Sequence, residues 1–148
     1  MQLRLPLGDC VLVDEPAQPL LLIAGATGFS QVHAFVEHAI ASGWTMPISV
    51  FWGARDATDF YLAEMPARWQ REHANIRCRL AVSQGVTAVG MQAGLVHEVA
   101  LAETPDLARS LVYACGSPPM VYAALDAFVA AGLPRERFFS DVLAWAPR

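Results

Sequence analysis

Leu20-Leu21-Leu22-Ile23-Ala24 is a run without a polar side chain, and Gly25-Ala26-Thr27-Gly28 closes it. A helical pattern starts at once. Val32, Phe35, Val36, Ala39 and Ile40 share one face of a helix from Ser30 to Ser42, and Gly43 stops it. A strand that is apolar throughout is covered on both faces, the condition of a strand inside a parallel sheet. The glycines permit a tight turn and let another backbone or a ligand come where a Cβ would block it. A helix beginning there offers its N–H groups and the positive end of its dipole, an arrangement that takes a phosphate. The stretch therefore specifies strand, turn and helix. A nucleotide outside the carboxyl end of the strand is its functional reading, and an ordinary strand-to-helix turn is spelled the same way.

The remainder of the chain repeats the alternation. Further strands are expected at Ile48–Trp52, Ile76–Val82, Leu111–Cys115 and Arg137–Leu143. Helices are expected at Thr58–Met65, from Pro66 to His73, over Gly94–Ala102, and over Pro119–Ala131, where Val121, Ala124, Leu125 and Phe128 form one face. The stretch Ser83–Ala93, with Gly85 and Gly90, reads as a loop. Arg77 and Arg79 alternate with apolar residues, which places the third strand at an edge with one wet face. This order predicts an α/β fold, a three-layer αβα sandwich around a five-stranded parallel sheet. Residues 1–19 are different: Leu3, Leu5 and Leu7 alternate, Gly8-Asp9 turns, and Cys10–Val13 reads as a second short strand. Two such strands are marginal alone, so 1–19 reads as the remnant of a preceding β-domain or as an arm, and 20–148 as the domain proper.

Composition narrows the function classes. Of 148 residues, 55% are hydrophobic and 16% charged, an apolar balance that suggests a face covered by another domain or subunit. Uninterrupted apolar stretches stay short of the roughly 18 residues of a membrane span, and no signal peptide is apparent. The net charge of −4 speaks against a nucleic-acid partner. Cys10, Cys78 and Cys115 match neither a disulfide framework nor a metal spacing, and His33, His38, His73 and His97 share no ligand spacing. No metal site is expected, and a reducing, cytoplasmic compartment is.

Three strands end in glycine: Ala24-Gly25, Trp52-Gly53 and Cys115-Gly116. In a parallel sheet these ends lie on one edge, so together they suggest a groove in which an extended ligand lies against backbone. The dinucleotide fingerprint G-x-G-x-x-G is absent. With Pro6-Leu7-Gly8-Asp9, Ile23 to Ser30, Trp52-Gly53-Ala54-Arg55, Cys115-Gly116-Ser117-Pro118 and Asp141-Val142-Leu143, the chain resembles the C-terminal NAD(P)-binding domain of the ferredoxin–NADP reductase superfamily. NAD(P)H–flavin reductases and oxygenase reductase components are the most similar branches.

The resemblance implies a role for each segment. Gly25, Ala26, Thr27 and Gly28 would face the pyrophosphate and the flavin-side crevice, with Thr27 a hydroxyl donor. Trp52, Gly53, Ala54 and Arg55 would line the groove, Arg55 near phosphate or ribose, and Ser83 would stand at the end of the third strand. Cys115 and Gly116 would sit at the nicotinamide, where hydride leaves. Ser117, Pro118 and Met120 would lie near the adenosine half, and Trp145 is the candidate for the aromatic that packs near flavin. The cofactors implied are NADH, with NADPH possible, and FAD or FMN on a domain absent from this chain, whose Arg-x-Tyr-Ser motif does not occur here. A flavin-binding domain or subunit and an iron–sulfur protein are the implied partners. Val82-Ser83-Gln84-Gly85 holds no cation for a 2′-phosphate, which favours NADH unless Arg77 or Arg79 supplies one. The residues support hydride transfer, because that reaction asks the protein for position rather than for an acid or base. They also allow a non-catalytic binding module, or another α/β enzyme holding a different phosphate ligand.

Overall fold

The structure, a computed structural model, describes residues 3–4, 11–12, 18–25, 28–60, 64–88 and 90–146. Ala26, Thr27 and the Gly8-Asp9 turn lie outside them. Strands β1 (Leu3–Arg4) and β2 (Val11–Leu12) pair antiparallel, Leu3 opposite Leu12. The main sheet follows from β3 (Leu20–Gly25), helix α1 (Phe29–Ala41), β4 (Ile48–Ala54), α2 (Glu64–Glu72) and β5 (Ile76–Val82). It continues with β6 (Met91–Ala93), α3 (Val96–Glu103), β7 (Leu111–Cys115), α4 (Pro118–Ala130), β8 (Phe138–Phe139) and α5 (Val142–Trp145). The strand order is β6-β5-β4-β3-β7-β8, and every pairing is parallel.

Alternation along the central strands sends side chains to two cores. Leu20, Leu22, Ala24, Val50, Trp52, Tyr113 and Cys115 meet Val32, Phe35, Val36 and Trp69 of α1 and α2. Leu21, Ile23, Phe51, Val112 and Ala114 meet Val96, Val99, Val121, Leu125 and Phe128 of α3 and α4. Each fully buried Leu, Ile, Val or Phe contributes about 1.5–3 kcal/mol relative to exposure, so the unbroken apolar run of β3 secures the middle of the sheet from both sides. The first core is closed by stacked rings: Phe29 lies on Trp52 at 3.8 Å and 8°, and Phe60 meets the Trp52 edge at 4.9 Å.

Four expectations change. The sheet has six strands rather than five, because the end of the supposed loop Ser83–Ala93 pairs as β6, with Leu80 beside Met91 and Val82 beside Ala93. Gly90 and Gly94, at φ +86 and +134, make the turns on either side. The edge belongs to β6, although Arg77, in the half of β5 that β6 does not reach, is exposed as a wet position should be. The strand expected over Arg137–Leu143 shrinks to Phe138–Phe139, since Ser140 accepts from the Val142 N–H through its hydroxyl and from Leu143 through its carbonyl, turning the chain into α5. The segment after β4 starts with a 3₁₀ turn, Ala57–Asp59, capped by Asp56 and Asp59. Pro66 sits in the first turn of α2, as expected.

Candidate functional site

The chain leaves β3 toward β4, β5 and β6, then returns to lay β7 and β8 on the other flank. The order reverses between β3 and β7, and ligands of open α/β sheets bind outside the carboxyl ends at that reversal. Ala24 lies beside both Trp52 and Cys115, and Gly25 beside Gly53, so the three strand ends stand at one level. Helix α1 starts on one face of the reversal and α4 on the other. Gly28 caps α1 and Ser117 caps α4, neither with a side-chain bond, and neither first turn carries an acid. Helices α2 and α3 differ, with Glu64 and Glu98 in their first turns. The two helix ends flanking β3 and β7 thus keep their positive dipole uncompensated by a carboxylate, as an anionic ligand requires.

The backbones here come very close. A Cβ on Gly28 would run into the carbonyl of Cys115 and lie 3.1 Å from the nitrogen of Gly116. One on Gly116 would lie 3.3 Å from the nitrogen and 3.4 Å from the Cα of Gly25, and one on Gly25 would lie 3.0 Å from Cε of Met120. Gly25, Gly28, Cys115, Gly116 and Met120 therefore form one constellation at the reversal, with Ser117 and Pro118 leading out of it into α4. A floor of main chain between two helix N-termini fits the pyrophosphate and ring of a dinucleotide, which need N–H donors and flat contact rather than side-chain bulk.

Other candidates are placed differently. The Trp52 ring is fully buried under Phe29, so it supports the site from below and does not line a groove. Gly53 is buried as well, and a Cβ there would lie 2.6 Å from that of Val96. Its missing side chain makes room for α3. The Cys115 side chain is fully buried on the α1 side, leaving its carbonyl toward Gly28. Ala54 is half-buried and Arg55 exposed. Main-chain bonds from Ser83 to Ala54 (3.0 Å) and from Gln84 to Arg55 (2.8 Å) join the ends of β4 and β5, so Arg55 and Ser83 are neighbours further along the same edge. Arg79 contacts the Glu103 carboxylate at 3.0 Å, and Arg77 donates to the Glu103 carbonyl at 2.9 Å. Both belong to the β5–α3 packing.

Trp145 lies in α5, and the next residue is tethered to α4: the Tyr122 hydroxyl donates to the Ala146 carbonyl at 2.9 Å. Tyr122 stands two positions after Met120, so one helix reaches both the glycine floor and the C-terminal segment. No sequence signal marks that bond, because its partner is a main-chain carbonyl 24 residues away. Among the described residues no group of three His, Cys, Asp or Glu side chains could hold a metal ion, and no helix is long and apolar enough to cross a membrane.

The family model of the oxidoreductase NAD-binding domain matches residues 22–126. The reductase component of the naphthalene 1,2-dioxygenase system, ferredoxin–NAD(P)(+), from Pseudomonas putida is 31% identical over 92% of this chain and 42% of its own length. An NAD(P)H-flavin reductase of Vibrio harveyi is 31% identical over 98% of this chain and 62% of its own. The chain thus spans less than two thirds of these relatives. The Amycolatopsis cytochrome P450 reductase GcoB superposes with a TM-score of 0.76 at 24% identity, covering 82% of this chain and 36% of that one, a likeness of fold.

Proposed function

The chain belongs to the oxidoreductase NAD-binding domain family, and from that premise we propose that it is the pyridine-nucleotide half of a flavin-dependent reductase. The observation that carries the reading is the glycine floor at the β3–β7 reversal, set between two acid-free helix N-termini. The amino end of α1 holds the pyrophosphate, with Thr27 donating its hydroxyl. Gly25 and Gly116 leave room for the nicotinamide ring to lie flat on main chain, and the Cys115 carbonyl fixes the distance between α1 and β7. The nucleotide then runs along the edge past Ala54, Arg55 and Ser83. When bound, NADH supplies a hydride to a flavin held on a separate domain, and the protein contributes placement. The apolar balance of the chain fits a face covered by that flavin domain, with residues 1–19 as the link to it. Electrons go on to an iron–sulfur protein or to free flavin.

NADH is the preferred nucleotide. Arg77 and Arg79 are bound to Glu103, residues 83–88 carry no cation for a 2′-phosphate, and the exposed Arg55 beside Ser83 is assigned to the nucleotide's phosphate or ribose. The buried free thiol of Cys78 supports a cytoplasmic setting, and the net charge of −4 disfavours nucleic acid as a partner. Calorimetric titration with NADH and NADPH tests the proposal. NADH should bind more tightly than NADPH. No binding of either at millimolar concentration refutes the proposal, and a preference for NADPH refutes the selectivity.

A further inference from the structure

The floor of the site is already occupied. Met120 reaches back from the first turn of α4, half-buried, and its methyl lies against both Gly25 and Gly116. A Cβ on Gly25 would stand 3.0 Å from Met120 Cε, and one on Gly116 would collide with it. A Cβ on Gly116 would also lie 3.3 Å from the Gly25 nitrogen, so one thioether reaches both positions. We propose that Met120 is a displaceable plug: its side chain fills the ring-binding floor of the free protein and must swing away before a nicotinamide ring can seat there. This deepens the nucleotide reading given above and rests on it.

The chemistry of the residue suits the task. Methionine is unbranched, has three soft torsions and packs adaptably, so it fills an irregular gap and leaves it at little cost. Its anchor does not move with it. Pro118 and Pro119 open α4 with their φ angles fixed by their rings, and the Val121 side chain that follows is fully buried. A flexible side chain on a fixed base can clear the floor without shifting α4 or β7. The closed state lowers apparent affinity by the fraction of time the floor is open.

This assigns Met120 an effect opposite in sign to that of a contact residue. A contact, once truncated, weakens binding; a plug, once truncated, strengthens it. The test is titration of the protein with NADH. Met120→Ala should bind about three- to tenfold more tightly than the parent. Met120→Leu, similar in volume with fewer torsions, should bind no more tightly than the parent. Weaker or equal binding by Met120→Ala overturns the plug while leaving the nucleotide reading intact. Failure of parent and variants alike to bind NADH at millimolar concentration removes both. A second measurement needs no truncation. In protein carrying ¹³C-methyl methionine, the Met120 signal, assigned by its loss in Met120→Leu, should shift when NADH saturates. A signal that stays in place under saturation overturns the proposal.

Discussion

Gly28→Ala separates packing from conformation at the centre of the site. Gly28 has φ −62 and ψ −12, ordinary helical backbone that alanine adopts freely. On conformational grounds the change should stabilise the protein by about 0.4–1 kcal/mol, because it restricts the unfolded chain. Sterics oppose this. The added Cβ would overlap the Cys115 carbonyl and press on the Gly116 nitrogen at 3.1 Å, and both are main-chain atoms that cannot rotate aside. Overpacking of this kind costs about 1–3 kcal/mol. At the middle of both ranges the balance is a net loss of about 1.3 kcal/mol, seen in urea as a lower midpoint with an unchanged slope. The start of α1 is pushed from β7, so NADH affinity should also fall by about tenfold, or 1.4 kcal/mol. Gly43→Ala is the control: that site has open space and φ +72, so its cost of about 1–2 kcal/mol is conformational and should leave NADH binding unchanged. A Gly28→Ala protein as stable as the parent, or more so, would refute the close approach of α1 to β7.

Two further outcomes follow from the same geometry. Gly116→Ala places its Cβ against the flexible end of Met120, so urea unfolding should register less than about 1 kcal/mol of loss, while titration shows NADH binding weakened because the floor is raised. The Cys78 thiol is pushed up from an ordinary 9.0 to about 12 by burial, so the folded state holds its proton where the unfolded chain releases it. Its stabilising share is complete below pH 9 and is lost between pH 9 and 12, at up to about 1.4 kcal/mol per pH unit. Urea midpoints measured across that range should show a steeper fall for the parent than for Cys78→Ser.

The sequence makes legible whatever is local and strongly periodic. Strands at Ile76–Val82 and Leu111–Cys115 have the expected bounds, and α1 and α4 start within one residue of expectation. The three glycine-ended strands do stand at one level of the sheet. Short elements whose existence depends on a neighbour escape such reading. Met91–Ala93 is a strand because β5 offers it an edge, and Phe138–Phe139 ends where Ser140 turns the chain. The roles of Trp52 and Gly53 needed three dimensions for another reason. A glycine at a strand end is spelled alike whether it makes room for a ligand or, as Gly53 does, for Val96 of a helix 43 residues on. Trp52 lies on the α1 face, which only the register with Ala24 and the stack with Phe29 reveal. Within the glycine row, Gly28 sets the α1 contact and Gly53 is the α3 seat, which leaves Gly25 and Gly116 for the proposed ring floor.

The most direct measurement is an ¹H–¹⁵N NMR titration of the protein with NADH. The largest amide shifts are expected on Gly25, Gly28 and Gly116, with smaller ones at Arg55 and Ser83 and none at the amino ends of the strands, near Leu20, Ile48 and Leu111. Shifts centred on those amino ends, or a spectrum unchanged at millimolar NADH, would contradict a nucleotide site at the β3–β7 reversal.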